Sequence, residues 1–346
     1  MESIVWDGNG LERGYNRKVE NDKVILSIGM ITYNQAQYVR QALDGIVMQK
    51  VDFRYEVIVG DDCSTDGTQD ILREYAERYP DIFKLVLREK NIGVTRNNFD
   101  LKHRACGKYF ACLEGDDYWT DENKLQIQVD FLESHQEYIA CVHKCLFVDE
   151  NSNPKENTPI NGWYCNKEVF TLKEFERGEL PGQTATLMYR NIFLDKTKDF
   201  SIMYKASDKI GDKTAILLLL SYGNIYNMDR VMSCYRYVIQ AGGSNVSSNY
   251  IGKNNRDELV KYLITLEEYA REKLHIPLDM SYKKKNVFVA AVTVWLKNPI
   301  PENAAVMNKI IALSGNPFAY RLLKYKTIVL KRFGWKLLKK DIRIKI

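Results

Sequence analysis

The sequence predicts an α/β fold, a parallel sheet covered by helices on both faces, followed by a C-terminal helical appendage. Three observations carry this expectation. From Val24 onward short β-branched runs alternate with segments of helical periodicity, the pattern of strand–helix–strand units joined by right-handed crossovers. Polar and turn-forming residues gather just after the apolar runs, where open sheets of this kind bind their ligands. Beyond Ser248 the strand pattern stops and helical spacing takes over.

Taken in order, VILSIGMI from Val24 is the first strand, and Gln37 to Met48 places Val39, Leu43, Ile46 and Val47 on one helical face. Tyr55 to Gly60 (YEVIVG) is the second strand. The turn-rich DDCSTDGT follows it, then a helix from Gln69 to Arg78 that stops before Pro80. FKLVL is the third strand and Gly107 to Leu113 the fourth. A strand at Tyr138 to Val148 leads into a polar segment, 149–161, and a short amphipathic helix at Leu172 to Arg177. Thr184 to Tyr189 and Val231 to Val238 read as strands flanking a helix from Asp212 to Tyr222. Four helical stretches close the chain: Asn255 to Lys273, Tyr282 to Leu296, Glu302 to Leu313, and Pro317 to Leu338. Three regions result: an N-terminal extension (1–22), an α/β domain (23–248) and a helical region with a basic tail (249–346).

The 346 residues, 45% hydrophobic and 27% charged with 8 Pro, describe an ordinary folded protein and exclude collagen, long disorder and a disulfide miniprotein. The net charge of +5 is unevenly spread. Ten basic residues face one acid, Asp341, between Arg321 and Ile346, so that this tail carries +9 and residues 1–320 sum to −4. A mildly acidic body speaks against nucleic acid as a partner. Within the tail Leu322, Tyr325, Val329, Phe333 and Leu337 recur at three- to four-residue steps, an amphipathic basic helix suited to an anionic membrane surface. The rival reading is a terminal helix that packs its apolar side on the protein. The seven Cys are odd in number and form no CxxC, which points to reduced thiols, and MESIVWDGNG lacks the basic start and apolar core of a secretory signal. The expected compartment is the cytoplasm, with a peripheral position on the inner face of the cytoplasmic membrane if the tail binds lipid. The longest apolar stretches, Val287 to Leu296 and Ala215 to Leu220, fall short of the ~20 residues of a membrane span.

Chemistry-bearing residues sit at the predicted strand ends. The first strand ends in Thr32-Tyr33-Asn34, the second in Asp61-Asp62, and the fourth in Glu114-Gly115-Asp116-Asp117. Topology brings these ends to one edge of the sheet. Strand-end Asp and Asn are commonly caps and turn formers, and Asp66, just before a helix, fits that role. Adjacent acids after an apolar strand instead repel each other and gain from a cation between them; a hard divalent ion suits their oxygens. His103, His135, His143 and His275 show no metal-ligand spacing. Neither GxGxxG nor GxxxxGK[ST] occurs, which disfavours dinucleotide and ATP phosphate loops.

The segments ITYNQAQYVRQAL, YEVIVGDDCSTDGT, NIGVTRNN and GKYFACLEGDDYW, in that order and spacing, resemble glycosyltransferase family 2, of the GT-A fold, across Val24 to Val238. The LEGDDYW form followed by DENKLQIQVDFL looks like the bacterial enzymes that build surface polysaccharides. The resemblance implies a Rossmann-like mixed sheet, with 23–248 as the catalytic domain. It also implies an inverting transfer from a nucleotide-diphosphate sugar, UDP-linked, to a saccharide or lipid-linked saccharide, with Mn²⁺ or Mg²⁺. It assigns Thr32, Tyr33 and Asn34 to the nucleotide, Tyr33 lying against the base, and gives Asp62 a base N–H; Asp61 is a structural neighbour. Asp116 goes to the ribose or the metal, Asp117 to the metal, and Glu114 is a supporting acid. Arg96 adds a cation near the diphosphate or ribose, as an alternative to a solvated helix arginine. Asp212, before AILLLL, is the base that deprotonates the acceptor hydroxyl, with Asp208 as substitute and a plain helix cap as the competing reading. Two departures stand out: Tyr235-Arg236-Tyr237-Val238 lacks the histidine of Tyr-Arg-x-His, and the first metal acid is Glu. Gln240 to Ser248 is either a flap over the donor or a connector. The rival functions are a sugar-phosphate nucleotidyltransferase, which needs a Gly-rich basic loop that ITYNQAQY does not supply, and a non-catalytic nucleotide-sugar-binding module at the membrane.

Overall fold

Leu26–Thr32 (β1) is buried at nearly every position, a pattern that only a central strand with both faces covered satisfies. In this computed structural model, which describes residues 23–156, 164–238 and 254–333, β1 is flanked in parallel by Tyr55–Asp61 (β2) and, across Phe83–Leu87 (β3) in chain order, by Tyr109–Glu114 (β4). β3 adds in parallel to the outer side of β2. Leu26, Ile28 and Met30 line up with Val57 and Val59 and with Tyr109, Ala111 and Leu113 on one face. That face packs against Val39–Val47 (α1), Thr68–Arg78 (α2) and Lys124–Ser134 (α4). On the opposite face Val94–Arg104 (α3) lies over Gly60, where an added Cβ would meet Asn97 at 2.6 Å and Leu101 at 3.0 Å.

The second half of the sheet is antiparallel in part. Tyr118–Trp119 (β5), Tyr138–Val148 (β6), Val169–Phe170 (β7), Met188–Arg190 (β8) and Asn224–Arg236 (β9) give the order β3-β2-β1-β4-β8-β6-β9-β5, with β7 also on β9. β8 runs antiparallel to both β4 and β6, and β9 runs parallel to β6 while accepting β7 and β5 antiparallel along its length. The sheet is therefore mixed, as the resemblance implies, rather than wholly parallel as the strand–helix alternation suggests. Leu172–Glu176 (α5), Ile202–Lys205 (α6) and Asp212–Leu220 (α7) complete the helices before β9.

Four elements differ from the sequence reading for physical reasons. α3 and α4 bury Thr95, Asn97 and Lys102, and Lys124 and Gln128, so polar residues occupy their inward faces and blur the apolar period. β9 begins at Asn224 rather than Val231, because NIYNMDR pairs through its backbone while burying only Ile225 and Met228. The strand expected from Thr184 is shortened to β8: the Gln183 side chain accepts the Ala185 amide and turns Thr184–Thr186 into a single 3₁₀ turn.

The chain divides into two compact units, and residues 172–180, with α5, cluster with the C-terminal helices. That helical unit contains Arg256–Tyr269 (α8), a π-helical turn at Ala270–Leu274, Ser281–Lys297 (α9), Pro301–Leu313 (α10) and Pro317–Phe333 (α11). Its core is Val260, Phe288, Ala291, Val292, Met307, Ile310 and Tyr320. The expected continuation of the last helix to Leu338 and the loop Gln240 to Ser248 lie outside the described residues.

At the sheet end opposite the acidic strand termini, Gly107 passes so close to β1 that an added Cβ would sit 2.4 Å from the Ser27 amide nitrogen. Its own amide donates to Ser27 Oγ at 2.8 Å, and Ser27 Oγ donates to the buried Glu56 at 2.6 Å. Gly107→Ala must push backbone against backbone and is expected to destabilise the α/β unit by about 1–3 kcal/mol. A chemical unfolding midpoint equal to that of the unaltered chain would refute this close approach.

Candidate active site

The carboxyl ends of β1, β2 and β4 meet at one edge of the sheet, and hydrogen bonds from the following loops hold them there. After β1 the backbone turns at Asn34, which adopts φ +52°, a left-handed conformation that Asn tolerates. The Asn34 amide donates to Ser64 Oγ at 2.8 Å, its Oδ1 accepts the Thr65 amide at 2.9 Å, and the Gln35 amide donates to Thr68 Oγ1 at 2.9 Å. The β1 and β2 loops are thus stitched together, leaving the Tyr33 ring 38% exposed at the rim.

Asp61 and Asp62 diverge. Asp61 is fully buried and accepts from the Ser64 amide at 2.9 Å, from Gln69 Nε2 at 2.7 Å and from the Ser64 hydroxyl. Asp62 sends its carboxylate the other way: Oδ1 accepts the Ile92 amide at 2.8 Å and Oδ2 the Gly93 amide at 2.9 Å. It therefore clamps the loop that opens α3, and each oxygen keeps a second lone pair for a further donor.

After β4, Glu114, Asp116 and Asp117 bring carboxylate oxygens to within 4.8 Å of one another, the one cluster of potential metal ligands among the described residues. The turn depends on Gly115, where a Cβ would fall 2.4 Å from Gln35 Oε1 and 2.9 Å from Thr32 Oγ1. Those two oxygens are buried without a hydrogen-bond partner and border the cluster. Asp117 is buried, and both its oxygens are engaged: Oδ1 accepts the Arg236 amide at 2.8 Å, Oδ2 accepts Gln183 Nε2 at 2.7 Å. Gln183 Nε2 also reaches Glu114 Oε2 at 3.3 Å. Arg236, buried on β9, gives its guanidinium hydrogen bonds to carbonyl, amide and hydroxyl oxygens. Its Nε donates to the Asp116 carbonyl at 3.0 Å, Nη1 to the carbonyls of Asp149 and Glu150, and Nη2 to Gln41 Oε1 at 2.7 Å, while the Tyr38 ring lies 4.3 Å from the guanidinium carbon.

Crowded, half-buried acids resist ionising together. Burial, then the charges of Asp116 and Asp212, push Glu114 up to about 8. Burial, then Asp116 and Glu114, raise Asp117 well above the usual carboxylate range; Asp116 is raised by burial against the opposing pull of Arg236 and Gln35. The influence on Glu114 puts Asp212 within electrostatic reach of the cluster. Asp212 is exposed and is the first residue of α7, directly after the cap position at Gly211. Asp208, also exposed, lies in the turn before it, where Ser207 Oγ accepts the Lys209 and Ile210 amides. Tyr164 and Tyr235 feel the same acids and border Phe147, with ring centroids 6.3 and 5.7 Å from it. Arg96 is exposed, its guanidinium carbon 4.7 Å from the Tyr204 ring centroid.

Strand topology predicts Glu114, Asp116 and Asp117 at one edge and the resemblance adds Asp212, whereas neither points to Gln35, Gln183 or Arg236. Gln183 stands in PGQTAT, which carries no motif, and Arg236 was visible only as part of Tyr235-Arg236, read for the histidine it lacks. The donor set is hard, anionic and free of sulfur and imidazole, which fits Mg²⁺ or Mn²⁺.

The profile described as "Glycosyl transferase family 2" matches residues 27–213, more than half of the chain. A curated protein of Mycobacterium tuberculosis printed as uncharacterised is 46% identical over 147 residues, 42% of either chain, so the chain spans less than half the length of that relative. The putative teichuronic acid biosynthesis glycosyltransferase TuaG of Bacillus subtilis is 26% identical over 230 residues, 66% of this chain and 84% of its own. Among solved structures, Staphylococcus aureus TarS 1–349 in complex with UDP-GlcNAc superposes with a TM-score of 0.61 at 17% identity, covering 89% of this chain and 87% of that one. At that identity the likeness is one of fold, and the fold is GT-A with a helical C-terminal region. With the profile running from β1 through the first residues of α7 and so enclosing the acids described above, this chain belongs to glycosyltransferase family 2.

Proposed function

We propose that the chain is an inverting, metal-dependent glycosyltransferase that moves a sugar from UDP to a glycan or lipid-linked saccharide in surface-polysaccharide synthesis. The observation that carries this reading is the cluster of Glu114, Asp116 and Asp117 with the Asp212 charge acting on it. Glu114, Asp116 and Asp117 would hold Mn²⁺ or Mg²⁺, whose chemistry there is to neutralise the charge that develops on the diphosphate as the sugar departs. Tyr33, exposed at the rim, offers a face to the base, Thr32 and Asn34 shape the nucleotide edge, and Asp62 has lone pairs left for a base N–H. Arg96 is assigned to the diphosphate or ribose. Asp212 takes the proton of the acceptor hydroxyl as its oxygen bonds the anomeric carbon, and the bond from that carbon to the diphosphate breaks on the opposite side, with inversion. Phe147, Tyr164 and Tyr235 present aromatic faces beside the acids, suited to a sugar ring. A lipid-linked acceptor would bring the protein to the inner face of the cytoplasmic membrane.

Calorimetric titration tests the donor site: UDP is expected to bind with Mn²⁺ present, and Asp116→Ala/Asp117→Ala to abolish the metal-dependent part. Metal-independent or unaltered binding would remove the proposed site. Asp212→Asn is expected to keep UDP binding and lower transfer by about 10²–10⁴-fold; unchanged transfer would move the base to Asp208, and no turnover by the unaltered chain over a panel of nucleotide sugars would favour a binding module.

The acids also set a pH dependence. The folded state holds the Glu114 proton up to about pH 8, whereas the unfolded chain releases it near the ordinary value of 4.5. Between those values the folded state binds more protons, so the metal-free protein is expected to lose stability as pH rises from about 5 to 8. Protons and cation compete for the same oxygens, so Mn²⁺ should raise the melting temperature more at pH 8 than at pH 6. Thermal melts of the unaltered chain and Glu114→Gln decide this: an equal slope in both would show that Glu114 does not hold the proton.

A further inference from the structure

Helix α11 has two apolar faces, and the helical unit uses one. Tyr320 and Thr327 are buried, Leu323 and Ile328 partly so, and Tyr320 meets Phe288 edge-on with ring centroids 4.9 Å apart. On the other side Phe318, Leu322, Tyr325 and Val329 are 79%, 60%, 66% and 53% exposed. Their spacing of four, three and four residues keeps them within an arc of about 60° along the whole helix. Single exposed apolar residues are ordinary, but four on one helical line form a surface that water alone does not favour.

The charges around this stripe select its partner. α11 contains Arg321, Lys324, Lys326, Lys331 and Arg332 and no acid. Arg321 and Lys326 are exposed on the two margins of the stripe, whereas Lys324 lies back over the Trp295 ring, its ammonium 5.2 Å from the centroid. The stripe itself is aromatic and aliphatic, offering a polar partner only the Tyr325 hydroxyl. A surface that meets cations at two margins and hydrocarbon between them is a bilayer rich in anionic headgroups, with the helix lying in the interfacial plane. No described helix is long and apolar enough to cross a membrane, which leaves α11 the interfacial geometry.

We propose that α11 docks on an anionic lipid surface, with Phe318, Leu322, Tyr325 and Val329 entering the acyl boundary and Arg321 and Lys326 pairing with lipid phosphates. This deepens the lipid-linked acceptor reading and rests on it for its role in the cell, while its test bypasses catalysis. The full chain is expected to co-sediment with phosphatidylcholine vesicles carrying about one-third phosphatidylglycerol and not with phosphatidylcholine alone, and to release as salt rises. Phe318→Ser/Leu322→Ser/Tyr325→Ser/Val329→Ser should weaken vesicle binding at least about tenfold, a loss of roughly one to four buried apolar side chains being ample for that, and leave Mn²⁺-dependent UDP binding unchanged. Amide exchange across residues 317–333 of the unaltered chain should slow on the anionic vesicles, a readout that needs no variant. Equal sedimentation of the fourfold variant, equal binding to neutral vesicles, or unchanged exchange would overturn the proposal. So would a lipid-free dimer that the variant abolishes, since the stripe would then be a self-association surface. Vesicle binding without UDP binding would sink the donor-site reading and leave this one standing.

Discussion

Three carboxylates with oxygens inside 4.8 Å of one another form the constraint to which the α/β unit answers. Left in water such acids would separate; held in a half-buried turn they raise each other's proton affinity, and Glu114 is pushed to about 8. What holds them is hydrogen bonding. Asp117 is fixed by the Arg236 backbone amide and the Gln183 side-chain amide, and the one buried guanidinium nearby, that of Arg236, is tied to the Asp116, Asp149 and Glu150 carbonyls rather than to a carboxylate. A cation placed among the acids by the protein itself would have relieved the strain and filled the site. Amide donors hold the geometry, and the acids answer one another's charge by holding protons more tightly.

The supports of Asp117 come from far along the chain. The acids sit at the end of β4, and their two supports come from residues 66 and 119 positions further along the chain. β9 reaches Asp117 because it runs alongside β6 and receives β5, the two-residue strand immediately after the acidic turn. Trp119 on β5 then donates its indole N–H to Ala185, two residues past Gln183. β9 runs in the same sense as β4, so its carboxyl end arrives at the edge where the acids sit, while antiparallel β8 starts toward that edge a few residues after Gln183.

The first half of this arrangement is legible in the sequence because local rules dictate it. β1, β2 and β4 are buried on both faces and read as apolar runs, and Gly115 permits a turn that any Cβ would block. The second half is less legible because tertiary contacts override local pattern. Lys124 is fully buried, bonded to Gln128 at 2.7 Å with its ammonium 4.0 Å from the Trp119 ring centroid, so α4 hides its inward face behind polar letters. Thr184 to Thr186 has strand composition and is turned by one glutamine side chain. Gln183 and Arg236 act through hydrogen bonds at long range, which no spacing rule encodes.

Asp62 has a structural task beside the nucleotide contact proposed for it. Its oxygens hold the amides of Ile92 and Gly93, which open α3; two residues on, Thr95 packs where a Gly211 Cβ would be, 3.3 Å from Thr95 Cγ2; and Gly211 caps the helix that begins with Asp212. The residue proposed to meet the nucleobase therefore anchors the start of the helix whose Thr95 neighbours Gly211, next to the residue proposed to take the acceptor proton. Removing the Asp62 carboxylate frees two backbone amides at the opening of α3 along with any contact to a nucleobase. Loss of activity on changing Asp62 consequently cannot be equated with loss of a nucleotide contact, and an isosteric Asn, which keeps one acceptor oxygen, separates the two effects better than Ala, which removes both.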